Sequence, residues 1–198
     1  MKNEIIGRQQ QIAELTDALY SSKPEMIALV GRRRVGKTYL VKEVYAHRID
    51  FEMTGLQNAS RNEQLLNFVI CMGKYFPHYP LPNKPTSWIE AFHFLTQALE
   101  GSGKKEKMIV FLDELPWLGT NRSGFILGLS FFWNSWASTK NIVTVICGSA
   151  ASWMIQKVVN DRGGLHNRIT RLLFLYPFTL AETEAYFKLR NIKMNRYH

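Results

Sequence analysis

The hydrophobic pattern of the chain alternates between two kinds of segment. Short apolar runs of the kind that form buried strands lie at Met26–Val30, Ile49–Thr54, Met108–Leu112, Ile142–Cys147 and Arg171–Leu175. Longer runs with helical spacing lie at Gln10–Tyr20, Lys37–His47, Glu63–Tyr75, Trp88–Glu100, Phe125–Ser138 and Leu180–Leu189. Apolar strands that alternate with helices are typical of βαβ units. The pattern therefore predicts a three-layer α/β fold, in which helices cover both faces of a mainly parallel five-stranded sheet.

Two segments interrupt this alternation and are predicted to be surface connections. Residues 76–85 are too rich in proline for a helix or a central strand, and residues 101–107 are polar. Further on, Thr179 and Glu182 have the spacing of a capping box for the last helix. A chain of 198 residues fits one α/β domain. We expect that domain to span residues 1–190 and to be followed by a basic tail, residues 191–198.

The first strand leads directly into the motif Gly31-x4-Gly36-Lys37-Thr38, which a helical run follows. Glycines let the backbone curl so that successive N–H groups point at one phosphate, and the helix N-terminus beyond them favours anions. Lys37 would reach the β- and γ-phosphates of a nucleotide, and the Thr38 hydroxyl would bind Mg²⁺. Strand, loop and helix together predict a phosphate-binding loop.

A second polar site follows the strand Met108–Leu112, where Asp113 and Glu114 stand side by side. Ligands of open α/β sheets bind at the carboxyl ends of strands, so Asp113 is placed to hold Mg²⁺. Glu114 beside it could act as the general base that activates a water molecule. The alternative is that both carboxylates only cap a turn before Pro116.

The strand Ile142–Cys147 ends in a third polar segment that contains Ser149 and Ser152. Ser149 would lie next to the strand of Asp113 and could hydrogen-bond the γ-phosphate or the attacking water. Serine also commonly caps helices, which is the alternative for Ser149 and the favoured interpretation for Ser152. The two functions are compatible with each other.

Charge and composition narrow the classes of partner. Lysine and arginine total 25 against 16 aspartate and glutamate, a net charge of +9. Nucleotides or nucleic acid suit this charge, although scattered basic residues also serve solubility. Cys71 and Cys147 lie in apolar runs, which indicates free thiols in a reducing compartment. Without an apolar leader or a run of 18 apolar residues, we expect a cytoplasmic protein that does not contact a membrane.

Several arginines and aromatic residues have more than one interpretation. Phosphoryl transfer often uses a guanidinium group to neutralise charge, and the candidates are Arg162, Arg168 and Arg171. The segment between Phe125 and Trp136 is very apolar, which favours burial in the core. A partner surface or a stacking surface for nucleic acid is its alternative.

With Ile6-Gly7-Arg8 upstream, these segments resemble the AAA+ and STAND superclass of P-loop ATPases, most closely its archaeal-type ATPase branch. The resemblance covers nearly the whole chain. In that family such a box near the N-terminus packs on adenine, although Gln11 stands here where an acidic residue is frequent. The Walker A, Walker B, sensor-1 and late arginine elements of the family correspond to residues 31–38, 112–114, 147–149 and 164–168.

The resemblance implies a sheet order of 5-1-4-3-2, ATP and Mg²⁺ as ligands, and ATP hydrolysis. Its nucleotide-binding residues would be Ile6, Gly7, Arg8, Gly31, Arg34, Val35, Gly36, Lys37, Thr38, Tyr39, Asp113 and Ser149. Thr38 and Asp113 would hold Mg²⁺. Lys37, Glu114 and Arg168 would be the catalytic residues, as phosphate ligand, general base and arginine finger.

The resemblance also suggests what surrounds this domain. Relatives continue into a helical lid and a winged helix, so we expect this chain to be part of a longer protein. Arg32–Arg34 would meet phosphates through backbone N–H groups, and their side chains would screen phosphate charge or pair with lid carboxylates. The expected function is a slow ATPase that serves as a regulatory or DNA-associated switch, with ATP or ADP, DNA through a C-terminal region, and further copies of the chain as partners. The alternative is a nucleotide-locked module that binds protein or DNA with little turnover.

Overall fold

In the computed structural model, which describes residues 5–160, 164–165 and 167–192, five strands form one sheet. They are β1 (Glu25–Gly31), β2 (Phe51–Thr54), β3 (Met108–Asp113), β4 (Ile142–Gly148) and β5 (Arg171–Leu175). Their order is β2-β3-β4-β1-β5, and every pairing is parallel. The prediction of a parallel sheet in the order 5-1-4-3-2 is confirmed. The carboxyl ends of β1, β4 and β3 therefore meet along one edge of the sheet.

Helices cover both faces of this sheet. They are α1 (Gln9–Tyr20), α2 (Lys37–Tyr45), α3 (Arg61–Tyr75), α4 (Trp88–Gly101), α5 (Leu115–Leu118), α6 (Phe125–Ser135), α7 (Ala151–Met154) and α8 (Leu180–Leu189). Short 3₁₀ turns follow α2 and α6, and a π-helical turn follows α7. Within the described part of the chain, no helix is both long and apolar enough to cross a lipid bilayer.

Alternate residues of the central strands enter two separate cores. Met26, Ala28 and Val30 of β1 point into the larger core, which α3, α4 and α6 cover. Ile27 and Leu29 point the other way, into a core closed by α1 and α2. Because β1 is buried on both faces, its sequence is a continuous apolar run rather than an alternating one. Because both faces of β1 are packed, the position of the loop that follows β1 is fixed relative to the sheet.

Several boundaries differ from the predicted ones. β2 begins at Phe51 rather than Ile49, because the Asp50 carboxylate accepts the Ile109 N–H, the kind of backbone donor that pairs along a strand ladder. The helix predicted to reach Ser138 ends at Ser135. The helices α5 and α7 have four residues each, too few to give a periodic signal.

The aromatic segment of α6 lies in the larger core, which confirms the burial interpretation. The Phe125 ring is fully buried and its centroid lies 4.7 Å from that of Trp88, edge to face. Replacing Phe125 with Leu should lower the free energy of unfolding by about 1–2 kcal/mol, because ring contacts and volume are lost. Urea unfolding measures this, with Phe131→Leu as control, since the Phe131 ring is 41% exposed on the same helix. Equal losses in both variants would contradict this placement.

Candidate functional site

The loop between β1 and α2 lies at the carboxyl edge of the sheet. A Cβ atom at Gly31 would overlap the carbonyl oxygen of Leu175, so glycine permits the close approach of β5. Gly36 has a φ of +91°, in the left-handed region, and its missing Cβ would face open space. The first N–H groups of α2, which follow Gly36 directly, have no intrahelical carbonyl partner. The loop therefore has the backbone geometry that binds an anion.

Lys37 is the buried charged residue of this loop, with only 5% of its surface exposed. Its Nζ donates to the carbonyl oxygens of Gly31 at 2.9 Å and of Arg32 at 3.0 Å. These two bonds satisfy the buried ammonium group and hold it within the loop. The Lys37 ammonium group therefore faces the interior of the loop rather than bulk water.

Thr38 and Asp113 meet at the carboxyl edge of the sheet. Thr38 follows β1 and Asp113 ends β3, and β4 lies between these two strands. The Thr38 hydroxyl donates to Asp113 Oδ2 at 2.5 Å, and the Asp113 side chain is buried. Burial raises the pKa of the Asp113 carboxyl, while hydrogen bonds from Thr38 and from the Glu114 N–H act in the opposite direction. A hydroxyl and a carboxylate oxygen at contact distance are the hard oxygen ligands that Mg²⁺ takes in proteins, so these residues fit the ion.

Glu114 and Ser149 lie next to this pair. The Ser149 hydroxyl donates to Glu114 Oε2 at 2.8 Å, a charge-assisted hydrogen bond between the ends of β4 and β3. Glu114 precedes α5 in a left-handed conformation, and its side chain makes no capping bond. Serine capping of α7 is wrong for both serines, because Ala150 occupies the cap position without a side-chain bond. The Ser149 hydroxyl instead donates a hydrogen bond to the Glu114 carboxylate.

A cavity of about 380 Å³ opens beside the loop. One wall is made by the residues around the loop and the N-terminal box, namely Ile5, Ile6, Arg8, Arg34, Val35, Gly36, Tyr39 and Leu40. The other is made by β5 and α8 with Leu175, Phe178, Tyr186, Leu189 and Arg190. Six of these residues had been expected at a nucleotide site, whereas the second wall had not. The spacing of Tyr186 and Leu189, three residues apart on one helix, was the signal that could have revealed it.

The N-terminal box closes the cavity against α8. The Arg8 guanidinium lies 4.7 Å from the centroid of the Phe178 ring. A Cβ atom at Gly7 would overlap the Glu182 carboxylate, so the box approaches the start of α8 closely. The capping box of Thr179 and Glu182, as predicted, fixes the start of α8. These contacts join the two walls.

The arginines of the loop differ in their surroundings. All three side chains are exposed, and Arg34 lines the cavity. The Arg33 guanidinium lies over the indole ring of Trp117, 4.9 Å from the ring centroid. The two expected uses of these side chains, screening of phosphate charge and pairing with lid carboxylates, stay predictions, and Arg33 has in addition an aromatic contact within the domain.

The structure does not bring Arg168 to this site. Ile27 pairs with Arg171 and Gly31 with Leu175, so the start of β5 lies four strand residues, roughly 13 Å, from the level of the loop. Arg168 precedes β5 and is exposed beyond that opposite edge. Arg171 is held by ion pairs with Glu14 and Glu25. The third candidate, Arg162, lies outside the described residues.

A parallel sheet in the order 5-1-4-3-2, with a glycine-lysine-threonine loop after β1 and acidic residues after β3, defines an AAA+-type P-loop fold. The sequence model of a family described as an ATPase domain predominantly from Archaea matches residues 5–188. The chain belongs to this family and is one of its ATPase domains.

Individual relatives are distant in sequence. An uncharacterised protein of Methanocaldococcus jannaschii is 23% identical over 188 residues, 92% of this chain and 38% of that protein. The Walker-type ATPase of Pyrococcus abyssi is 20% identical, with a TM-score of 0.64 over 96% of this chain and 60% of that one. The ORC1 protein of Aeropyrum pernix in complex with DNA is 15% identical, with a TM-score of 0.64 over 96% and 50%. The chain thus spans about 40–60% of the length of these relatives.

Proposed function

We propose that this domain binds ATP with Mg²⁺ and hydrolyses the γ-phosphate. The observation that carries the proposal is the contact between the Thr38 hydroxyl and the Asp113 carboxylate, directly beside the loop that contains Lys37. A hydroxyl and a buried carboxylate at the mouth of an anion-binding loop are the arrangement that phosphoryl-transfer sites of this class use. The adjacent cavity has room for the base and ribose.

Each residue has a separate task in this proposal. Thr38 and Asp113 would hold Mg²⁺, which neutralises charge on the phosphates when it is bound. The N–H groups of the loop and of the first turn of α2 would bind phosphate oxygens, and the Lys37 ammonium would turn from its two carbonyl partners toward the β- and γ-phosphates. The low exposure of Lys37 strengthens this electrostatic attraction.

Glu114 would accept the proton of the attacking water. Its carboxylate now accepts the hydroxyl proton of Ser149. A hydroxyl has one proton to donate, so Ser149 cannot at once serve Glu114 and a γ-phosphate oxygen. When Ser149 turns to the γ-phosphate, Glu114 loses this bond and is freed to orient water. In this way, the presence of the γ-phosphate would determine whether the Glu114 carboxylate is hydrogen-bonded to Ser149 or available to water.

The aromatic wall of the cavity gives a test of base binding. Replacing Tyr186 with Ala should weaken ATP binding by about tenfold, because a ring that can stack on the base is lost. Isothermal titration measures this. Binding of Mg²⁺ tripolyphosphate, which has no base, should be unchanged. Leu180→Ala is the matched control, because Leu180 lies on the same helix, is 91% exposed and does not line the cavity. An equal loss for tripolyphosphate would place the base elsewhere.

A second function is favoured by the Ser149 contact itself. A hydrogen bond from a hydroxyl lowers the basicity of a carboxylate and holds it in one orientation, so a domain in which Ser149 stayed on Glu114 would retain ATP or ADP with little turnover. It would then act as a nucleotide-locked module that binds DNA or protein. Multiple-turnover phosphate release, measured with ATP and Mg²⁺, separates this module from a hydrolase.

At the level of the whole protein, we propose an ATP-driven switch in a regulatory or DNA-associated assembly. The DNA complex of the structurally similar ORC1 protein supports this idea. Fluorescence anisotropy with duplex DNA at low and high salt tests it, since phosphate contacts weaken as salt rises. No binding by this domain at low salt would move any DNA contact outside it. Arg168, exposed at the opposite edge, would serve as an arginine finger only toward another copy of the chain.

A further inference from the structure

The contact between Arg33 and Trp117 joins two parts of the site that the sheet holds apart. Arg33 belongs to the loop after β1, whereas Trp117 lies on α5 after β3, and β4 runs between these strands. Among the described residues, the Arg33 side chain has no carboxylate partner, and its guanidinium lies over the indole ring. A planar guanidinium over an aromatic face is a specific and favourable arrangement. The neighbouring Arg32 makes no such side-chain contact among the described residues.

A buried amide fixes the backbone of Trp117. The Gln64 side chain is 2% exposed, and its Nε2 donates to the carbonyl oxygens of Trp117 at 3.2 Å and of Leu56 at 2.7 Å. Its Oε1 accepts the Leu56 N–H at 3.1 Å. A Cβ atom at Gly55 would lie 2.8 Å from the Glu114 carbonyl oxygen, so α5 sits tightly on the segment after β2. A shift of the Trp117 backbone would therefore break the hydrogen bond from the buried Gln64 amide.

Trp117 in turn is bonded to Glu114. The Trp117 N–H donates to the Glu114 carbonyl oxygen at 2.9 Å, within the single turn that α5 contains. A shift of Trp117 therefore displaces the backbone that carries the Glu114 carboxylate. Gln64 and Arg33 hold Trp117 from the two sides, one through its carbonyl and the other through its ring. The indole is the link between the phosphate loop and the residue beside Asp113.

We propose that Arg33 and Trp117 are positioning residues that set the place of Glu114 relative to the phosphate loop. The inference rests on the proposed hydrolysis, in which Glu114 is the base. The stacked guanidinium would carry the position of the phosphate loop to α5. Neither residue contacts the reacting atoms. Their loss lowers the rate of the chemical step and leaves nucleotide affinity in place, because proton transfer depends steeply on the geometry of the base.

The test measures ATP turnover and ATP affinity in four variants. Arg33→Met and Trp117→Leu should each lower kcat by about fivefold to tenfold, the range expected when a contact of this kind is lost. The dissociation constant for ATP should change less than about twofold, as expected for an interaction that acts only on the chemical step. The double variant should be no slower than either single variant, because both remove one contact. Trp117→Phe retains an aromatic face and should recover most of the rate.

Arg48→Met is the matched control, because it removes an exposed arginine charge just before β2, at the edge of the sheet opposite the phosphate loop, and leaves the stack intact. Equal rates in the Arg48 and Arg33 variants would overturn the proposal. Weaker ATP binding in Arg33→Met, with an additive effect of Trp117→Leu, would also overturn it and assign Arg33 to the phosphates. If Trp117→Leu does not fold, the rates of Arg33→Met and Trp117→Phe still test the proposal. No turnover in the unaltered domain would refute the proposed hydrolysis itself, a result distinct from turnover that these variants leave unchanged.

Discussion

Replacing Glu114 with Gln should remove most of the ATP turnover and leave ATP bound. The amide has nearly the shape of the carboxylate, and its oxygen can still accept the Ser149 hydroxyl proton. It cannot take a proton from water, because an amide oxygen is a very weak base. General base catalysis contributes typically about 100- to 10,000-fold, so kcat should fall by about that factor. The dissociation constant for ATP should stay within about threefold of its original value, since phosphate and Mg²⁺ ligands are unaltered.

Single-turnover phosphate release and equilibrium binding of ATP check the two halves of this result. Glu106→Gln is the matched control, because Glu106 is an exposed glutamate that precedes β3 at the opposite edge of the sheet. Both variants lose one negative charge, so a general charge effect would appear in each. Full turnover in the Glu114 variant would exclude Glu114 as the base. Unaltered protein that binds ATP without turnover would favour the nucleotide-locked module.

Replacing Lys37 with Ala should weaken ATP binding by about 100- to 1,000-fold, because a buried positive charge beside the phosphates is lost. Lys37 is 5% exposed, and its ammonium group, which donates to two carbonyl oxygens in this structure, would turn to phosphate oxygens when ATP binds. The substitution also removes the bonds to Gly31 and Arg32, so the loop loses an internal support. Adenosine, which has no phosphate, should bind equally to both proteins.

Isothermal titration with ATP, ADP and adenosine measures these affinities. Lys42→Ala is the control, because Lys42 lies on the same helix, is largely exposed and pairs with Glu52 away from the loop. Thermal melting of both variants tests whether the domain still folds. An ATP affinity that Lys37→Ala does not change would contradict the assignment of the loop as the phosphate site.

The layers and central strands were predictable from local signals. β1, β3 and β4 are buried at every position, so a continuous apolar run marks each of them. β2 was placed two residues too early: the Asp50 N–H donates to the Ile109 carbonyl oxygen, but the Ile109 N–H donates to the Asp50 carboxylate rather than to a backbone carbonyl. The order of the strands could not be predicted in this way, because an apolar run does not indicate which strands lie beside it in the sheet. It followed from resemblance to a family, and the pairings of the sheet confirm it.

The site residues also fall into those that local sequence signals indicated and those that they did not. Lys37 and Thr38 lie within one loop and Asp113 and Glu114 at one strand end, so spacing along the chain was enough to select them. Phe178 and Tyr186 were missed as cavity residues, because they reach the loop only through the pairing of β5 with β1. Arg168 was selected by its motif, yet the parallel register places it at the far edge.

The sequence by itself determined the chemistry of the loop and the strand ends, because glycine conformation, helix N-termini and buried apolar runs are properties of neighbouring residues. The tertiary structure decided which distant groups meet. It joined Thr38 to Asp113, Ser149 to Glu114 and Arg33 to Trp117. Each pair depends on the crossovers that put β4 between β1 and β3. Such contacts depend on how whole strands and helices pack, so the hydrophobic periodicity of the sequence does not predict them.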